Sequence, residues 1–292
     1  MADLALLVLT LAWGTTFLLV KNALAGTSAG VFLLLRFGVA AAAIAPIVAV
    51  RRDRVTRGAL RDGVLLGVAM FAGFALQTIG LRFTTPARSG FLTGLAVLIV
   101  PFLARFLLQR RVHAAAWVGV ALAVAGLVML TRPFGDGIAA AVRTGDLITL
   151  GCAVAYAFQI IYTSEWSPRH PLALLTLLQV GTTLALSALF LPFEPVRLAA
   201  SPALLGTVLY TGLCMTALAF FVQNWAQRHT TAVRTALIFS LEPVAAALFS
   251  HLVGGEPLVA LDWAGGAFIV LGVLAGEVGG ALGARRRVPA VS

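Results

Sequence analysis

Apolar residues run along this chain in stretches of about twenty, separated by short polar breaks, and ten such stretches can be counted. They predict helices at roughly 4–24, 29–50, 60–81, 86–108, 113–131, 146–163, 171–191, 203–227, 232–252 and 259–280. Each is long enough to cross about 30 Å of hydrocarbon at about 1.5 Å per residue. The runs are too long and too evenly apolar for the alternation of barrel strands. They consume about 200 residues of the chain, which leaves only short loops. The first run has no basic segment before it and is followed at once by others, so it reads as a retained helix and not as a cleaved signal. The expected fold class is an all-α integral membrane protein with ten transmembrane helices.

The pattern is also written twice. Shifted by 146 residues, Gln77–Gly126 falls on Gln223–Gly272 without a gap, and twelve of fifty positions are identical. The informative matches are Gln77/Gln223, Arg82/Arg228, Thr84/Thr230, Thr85/Thr231, Arg88/Arg234, Trp117/Trp263 and Gly119/Gly265. Upstream, an offset of 143 sets Asp3-Leu4 on Asp146-Leu147, Trp13 on Tyr156 and Arg36 on Gln179. Two related halves are therefore expected, 1–143 and 144–284, each a five-helix repeat, with a basic cytoplasmic tail at 285–292. An odd number of crossings per half makes the second half enter from the opposite side. Inverted repeats of this kind build alternating-access transporters, with substrate near the midplane between the repeats.

Composition agrees: 60% of residues are hydrophobic, 11% are charged and the mean hydropathy is +1.00. The net charge of +10 lies mostly in loops, so it argues for orientation and not for nucleic acid. Fourteen Lys and Arg residues fall on the N-terminal side of the membrane and six on the other. The positive-inside rule then puts both termini in the cytoplasm. Cys152 and Cys214 fall inside spans and read as small buried hydrophobes. The four histidines lack metal-ligand spacing, so neither a metal nor a cofactor is expected.

Several side chains stand out against this background. Trp13 and Thr16 lie mid-span beside Gly14, Phe71 and Phe74 lie mid-span in the third stretch, and Tyr156 and Gln159 in the sixth. Arg36 sits about a turn and a half from the outer end of its span, where a long stem can snorkel to the interface. Thr85-Pro86 and Thr231 read as helix N-caps. Pro101 and Pro243 free the carbonyls of Val97 and Phe239. Glycine stripes in spans five and ten favour close packing, within the bundle or in a homodimer. Glu242 is a carboxylate at mid-membrane, a functional-site candidate by default.

Trp13-Gly14 in the first span, Arg36-Phe37 in the second and Glu242-Pro243 in the ninth, set in two five-helix repeats, resemble the EamA family of the drug/metabolite transporter superfamily. Within it the chain is most similar to the YddG-type exporters of aromatic amino acids. The resemblance implies a multi-pass protein of a bacterial inner membrane that exports aromatic and other neutral amino acids from a central cavity. Its partners are then a small-molecule substrate and the lipid bilayer. The cavity is expected to use Trp13, Thr16, Phe71, Phe74, Tyr156, Gln159, Met215 and Glu242. Trp13 and Tyr156 are set to bracket the substrate, with Gln77 at the outer vestibule and Gln223 and Asn224 at the inner one. A metabolite, organophosphate or drug exporter on the same fold is the alternative, although Arg36 is the one basic residue well inside a span. A lipid-modifying enzyme would need a catalytic cluster that neither Glu242 nor Glu277 has nearby in sequence.

Overall fold

The computed structural model describes residues 1–131, 140–255 and 257–285, and among them the side chains of all but 87, 130–131, 140–143, 254 and 277–285. Residues 132–139, in the Pro/Gly-rich joint expected between the halves from 132 to 145, and the tail from 286 lie outside the described residues, as do the side chains of Arg143 and Glu277. Among the described residues there is no strand, and an isolated antiparallel bridge joins Thr27 to Leu198.

The helices are α1 (Ala2–Gly14 and Thr16–Ala23), α2 (Ala29–Arg51), α3 (Arg57–Phe83), α4 (Pro86–Gly94 and Ala96–Phe106) and α5 (Ala114–Thr131). They continue as α6 (Ala140–Trp166), α7 (Leu172–Phe190), α8 (Pro202–Leu209, a π-helical Tyr210–Leu218, and Ala219–Ala226), α9 (Ala232–Phe239 and Glu242–Gly254) and α10 (Ala260–Arg285). Eight are long and apolar enough to cross a membrane. In α5 and α10 the described apolar parts are shorter, Ala114–Met129 and Ala260–Gly276.

The start signals work as the sequence suggests. Thr85 Oγ1 accepts a bond from Arg88 N, and Thr231 Oγ1 accepts one from Arg234 N, each at 3.3 Å. Ser201, ahead of Pro202, does the same for Leu204 N at 3.1 Å. The core is largely apolar, but the outer surface is apolar too, unlike that of a water-soluble protein. Leu4, Val8 and Leu11 of α1 and Leu205, Leu209 and Leu213 of α8 face outward, while Thr10, Gln179, Thr183, Thr216, Gln223 and Asn224 are buried. Hydrocarbon accepts the outward leucines freely, whereas polar side chains need partners inside the bundle. The molecule is a multi-pass membrane protein.

Packing places α3 against α6 and α7, α2 against α7 and α8, α1 against α8 and α9, and α4 against α6 and α9. α5 lies along α10, and the glycine stripe explains how closely. A Cβ on Gly119 would meet the Gly272 carbonyl oxygen at 2.5 Å, and one on Gly272 would meet the Gly119 oxygen at 2.5 Å. Gly126 touches the Gly265 carbonyl in the same way. These pairs make the two helices antiparallel, and they use the described glycines at 119, 126, 265 and 272 for packing inside one molecule.

α4 is broken at Leu95 and α9 at Ser240-Leu241, positions related by the 146-residue offset. The prolines themselves are not equivalent. Pro243 stands at the start of the second segment of α9, and Pro101 lies inside the second segment of α4. In α4 the bend comes ahead of the proline, where Leu98 N bonds back to Leu95 O at 3.0 Å in a tightened turn. Gly94 rests there against the Pro243 ring, so the two breaks face each other.

Candidate functional site

A cavity opens between the facing breaks. Its walls are Trp13 and Thr16 of α1, Arg36 of α2, Phe74 and Gln77 of α3, Thr93, Gly94, Ala96 and Val97 of α4, Tyr156, Gln159 and Ile160 of α6, Phe220 and Gln223 of α8, and Ala236, Phe239 and Glu242 of α9. The cavity volume is about 60 Å³.

Aromatic rings form the apolar wall. Trp13 meets Phe220 with centroids 5.7 Å apart and Phe239 edge-on at 5.1 Å. Phe74 meets Phe220 at 5.9 Å and Tyr156 at 5.6 Å, nearly perpendicular. Gly73 makes room for Tyr156, because a Cβ there would run into the Tyr156 ring.

The polar wall depends on the π-helical stretch of α8. π-helical winding is favoured at functional sites because it displaces the backbone from the regular ladder. Here the Met215 carbonyl accepts Trp13 Nε1 at 3.0 Å and Arg36 Nη2 at 3.3 Å. Thr216 Oγ1 accepts Arg36 Nε at 2.7 Å and donates to the Thr211 carbonyl at 2.8 Å. The Arg36 guanidinium carbon lies 4.5 Å from the Phe74 centroid, a cation–π geometry. Arg36 is 3% exposed. It does not snorkel, contrary to expectation: the π-helical carbonyl, a threonine hydroxyl and a ring face give it better partners inside than the headgroups would.

Opposite in charge, Glu242 also lines the cavity. Among the described residues neither its carboxylate nor the Tyr156 hydroxyl forms a hydrogen bond, so both polar ends face the cavity space. Arg36 and Glu242 are the two charged groups in the described lining.

The two glutamines set apart as vestibule residues both border this same cavity. Gln77 Nε2 donates to Thr93 Oγ1 at 3.0 Å. Gln223 Nε2 donates to Gln159 Oε1 at 3.1 Å and to Gln227 Oε1 at 2.8 Å, and Gln227 passes the chain on to Ser164 Oγ at 2.7 Å. Three expected residues lie elsewhere. Asn224 is fully buried and bonds Thr176 Oγ1 at 2.8 Å. Phe71 packs toward Phe190, with centroids 6.3 Å apart. Met215 contributes its carbonyl and not its side chain to the polar wall. Arg36, Thr93, Phe220 and Phe239 were missed as lining residues. Only Arg36 carried a signal in sequence, as a charge inside a span. Both cysteines are free, with Cys152 buried 3.7 Å from Thr93 Oγ1, and no group able to hold a metal ion occurs among the described residues.

Comparison with known proteins agrees with this architecture. The model of the EamA-like transporter family matches twice, at residues 1–132 and 143–275. An uncharacterized transporter of Archaeoglobus fulgidus is 31% identical over 273 residues, covering 94% of this chain and 84% of its own length. The uncharacterized transporter YyaM of Bacillus subtilis is 27% identical, covering 89% of this chain and 88% of its own. A solved crystal structure superposes with a TM-score of 0.78 over 95% of this chain and 96% of its own, at 21% identity, which speaks to the fold alone. The chain belongs to the EamA-like transporter family, and it is a transporter and not an enzyme.

Proposed function

We propose that this transporter carries neutral and aromatic amino acids across a bacterial plasma membrane by alternating access, in the direction of export. The observation that carries the reading is one guanidinium and one carboxylate facing the same small aromatic cavity. A zwitterion supplies both complements at once, its carboxylate to Arg36 and its ammonium to Glu242. The ring wall suits an apolar side chain, and the amides and hydroxyls tolerate several shapes. A phosphate ester would call for several basic groups, and the described lining has one.

Alternating access through ten membrane helices in two inverted repeats is supported by the packing. Exchanging each helix of one half for its mate in the other leaves the nine principal pairs named above unchanged: α1–α9 becomes α6–α4, and α2–α8 becomes α7–α3. The Gly119–Gly272 contact likewise becomes Gly265–Gly126, in antiparallel helices. The basic loops put both termini in the cytoplasm under this reading. The test is flux of labelled amino acids into proteoliposomes, with competition by unlike neutral amino acids and by sugar phosphates. Competition among the amino acids, and none from the phosphates, is expected. Strict selectivity for one small polar solute refutes the reading.

A further inference from the structure

The twofold repeat places a three-residue cluster at each end of the bundle, and the two clusters are in different states. At one end, Arg88 of α4 forms an ion pair with Asp146 of α6, and its Nε lies 3.2 and 3.4 Å from the two carboxylate oxygens. Thr84 Oγ1 donates to Asp146 Oδ1 at 2.8 Å. Lys21 Nζ, at the far end of α1, ties down the same corner through the Leu81 carbonyl at 2.5 Å and the Thr84 carbonyl at 2.9 Å.

The repeat mates of Thr84, Arg88 and Asp146 are Thr230, Arg234 and Asp3. They lie at the other end of α1, about 27 Å away at 1.5 Å per residue. There the ion pair persists, Arg234 Nη2 to Asp3 Oδ2 at 2.9 Å, but its side chains are 39% and 36% exposed, against 16% for each member of the first pair. The threonine bond is missing. Thr230 Oγ1 and Asp3 Oδ1, the atoms that would make it, are both covered and without a hydrogen-bond partner among the described residues. Capping does not explain the recurrence of these residues, because Thr85 and Thr231 already do that work.

We infer that Thr84–Arg88–Asp146 and Thr230–Arg234–Asp3 are the two gates of the transport path, that the outer one is shut here, and that the inner one is partly undone. The inference rests on the alternating-access part of the proposed function and not on the identity of the substrate. Each cluster joins the start of a broken helix (α4 or α9) to the helix that packs beside it (α6 or α1). Rocking one repeat against the other completes one cluster as it strains the other. The orphaned atoms at the inner end are what a clasp leaves when it has slipped by one bond.

The test needs no substrate. In a Cys152→Ala, Cys214→Ala background, Ala96→Cys places a thiol in the cavity wall. Its labelling by a membrane-impermeant maleimide is followed from the outer side in right-side-out vesicles. Asp146→Ala, and the milder Thr84→Val, should raise outer labelling about tenfold, the equivalent of about 1.4 kcal/mol taken from the outer-shut state. Asp3→Ala should not raise it, and adding Asp3→Ala to Asp146→Ala should bring it back toward the parent. The swapped pair Arg88→Asp with Asp146→Arg should restore closure, which separates a lost gate from a damaged fold. Unchanged labelling in both Asp146→Ala and Thr84→Val, or an equal rise in Asp3→Ala and Asp146→Ala, overturns the inference. Failure of amino-acid flux with these labelling shifts intact would overturn the substrate reading alone.

Discussion

Arg36→Met separates recognition from folding. Each group that Arg36 contacts keeps another partner when the guanidinium is removed. Thr216 Oγ1 still donates to the Thr211 carbonyl at 2.8 Å, and the Met215 carbonyl still accepts Trp13 Nε1 at 3.0 Å. Methionine fills part of the volume beside Phe74 with an apolar, adaptable chain. The fold should therefore lose little, and the unfolding midpoint in detergent should stay close to that of the parent. Binding is another matter. A hydrogen bond to a charged group contributes about 1.5–3 kcal/mol. Loss of one such bond to a substrate carboxylate weakens affinity roughly ten- to hundredfold. The assay is ligand-induced thermal stabilisation in detergent, comparing phenylalanine with phenethylamine, which lacks the carboxylate. Phenylalanine should lose its stabilising effect in the variant, and phenethylamine should keep whatever effect it has on the parent. Equal loss for both ligands, or no loss for phenylalanine, would refute the carboxylate role of Arg36.

Glu242→Gln should give the reciprocal pattern, weakening phenylalanine about tenfold while sparing 3-phenylpropionate, which lacks the ammonium; full flux with an unchanged pH profile would remove any coupling role for the carboxylate. Thr85→Ala and Thr231→Ala should each cost about 1 kcal/mol through the lost N-cap, read as a lowered unfolding midpoint with the order of substrate preference retained. Gln179→Leu removes a fully buried amide whose Nε2 and Oε1 both lack partners among the described residues. Orphaned groups of this kind cost about 1–3 kcal/mol, so the midpoint should rise.

The membrane class and the helix starts were legible because they depend on local physics: run length, apolarity, and a hydroxyl ahead of the first turn. The fate of Arg36 was not legible. Its inward turn depends on a π-helical stretch in α8, Tyr210–Leu218, whose widening no residue in that stretch announces. The glutamines show a different limit. Counting from helix ends assigned Gln77 and Gln223 to vestibules, yet both border the central cavity. α3 has 27 residues, about 40 Å at 1.5 Å per residue, which exceeds the hydrocarbon thickness. Centred on the membrane, α3 leaves about 5 Å outside at each end, so Gln77, about 9 Å from its end, already lies within the hydrocarbon. Helix breaks could be anticipated from proline only in α9; in α4 the break falls at Leu95, ahead of Pro101 and beside the contact of Gly94 with Pro243.

Under the proposed alternating-access function, the repeat also separates movement from chemistry. Of the residues identical between the halves, Thr84/Thr230, Arg88/Arg234 and Thr85/Thr231 lie at helix ends, where the proposed rocking motion must be reversible. The two charges of the cavity are positions where the halves differ: Arg36 is matched by Gln179, and Glu242 by Ala96. A symmetric cavity would hold two guanidiniums and two carboxylates. Each extra buried ion costs several kcal/mol of desolvation, and a zwitterion could then lie in either of two opposed directions. One charge of each sign defines a single direction. It also halves the desolvation cost and leaves the opposite walls free to be aromatic. A zwitterion held as proposed would present its side chain to the wall formed by Trp13, Phe220 and Phe239. On this proposal the single binding direction follows from two positions that broke the repeat, and reversibility from the helix-end residues that kept it.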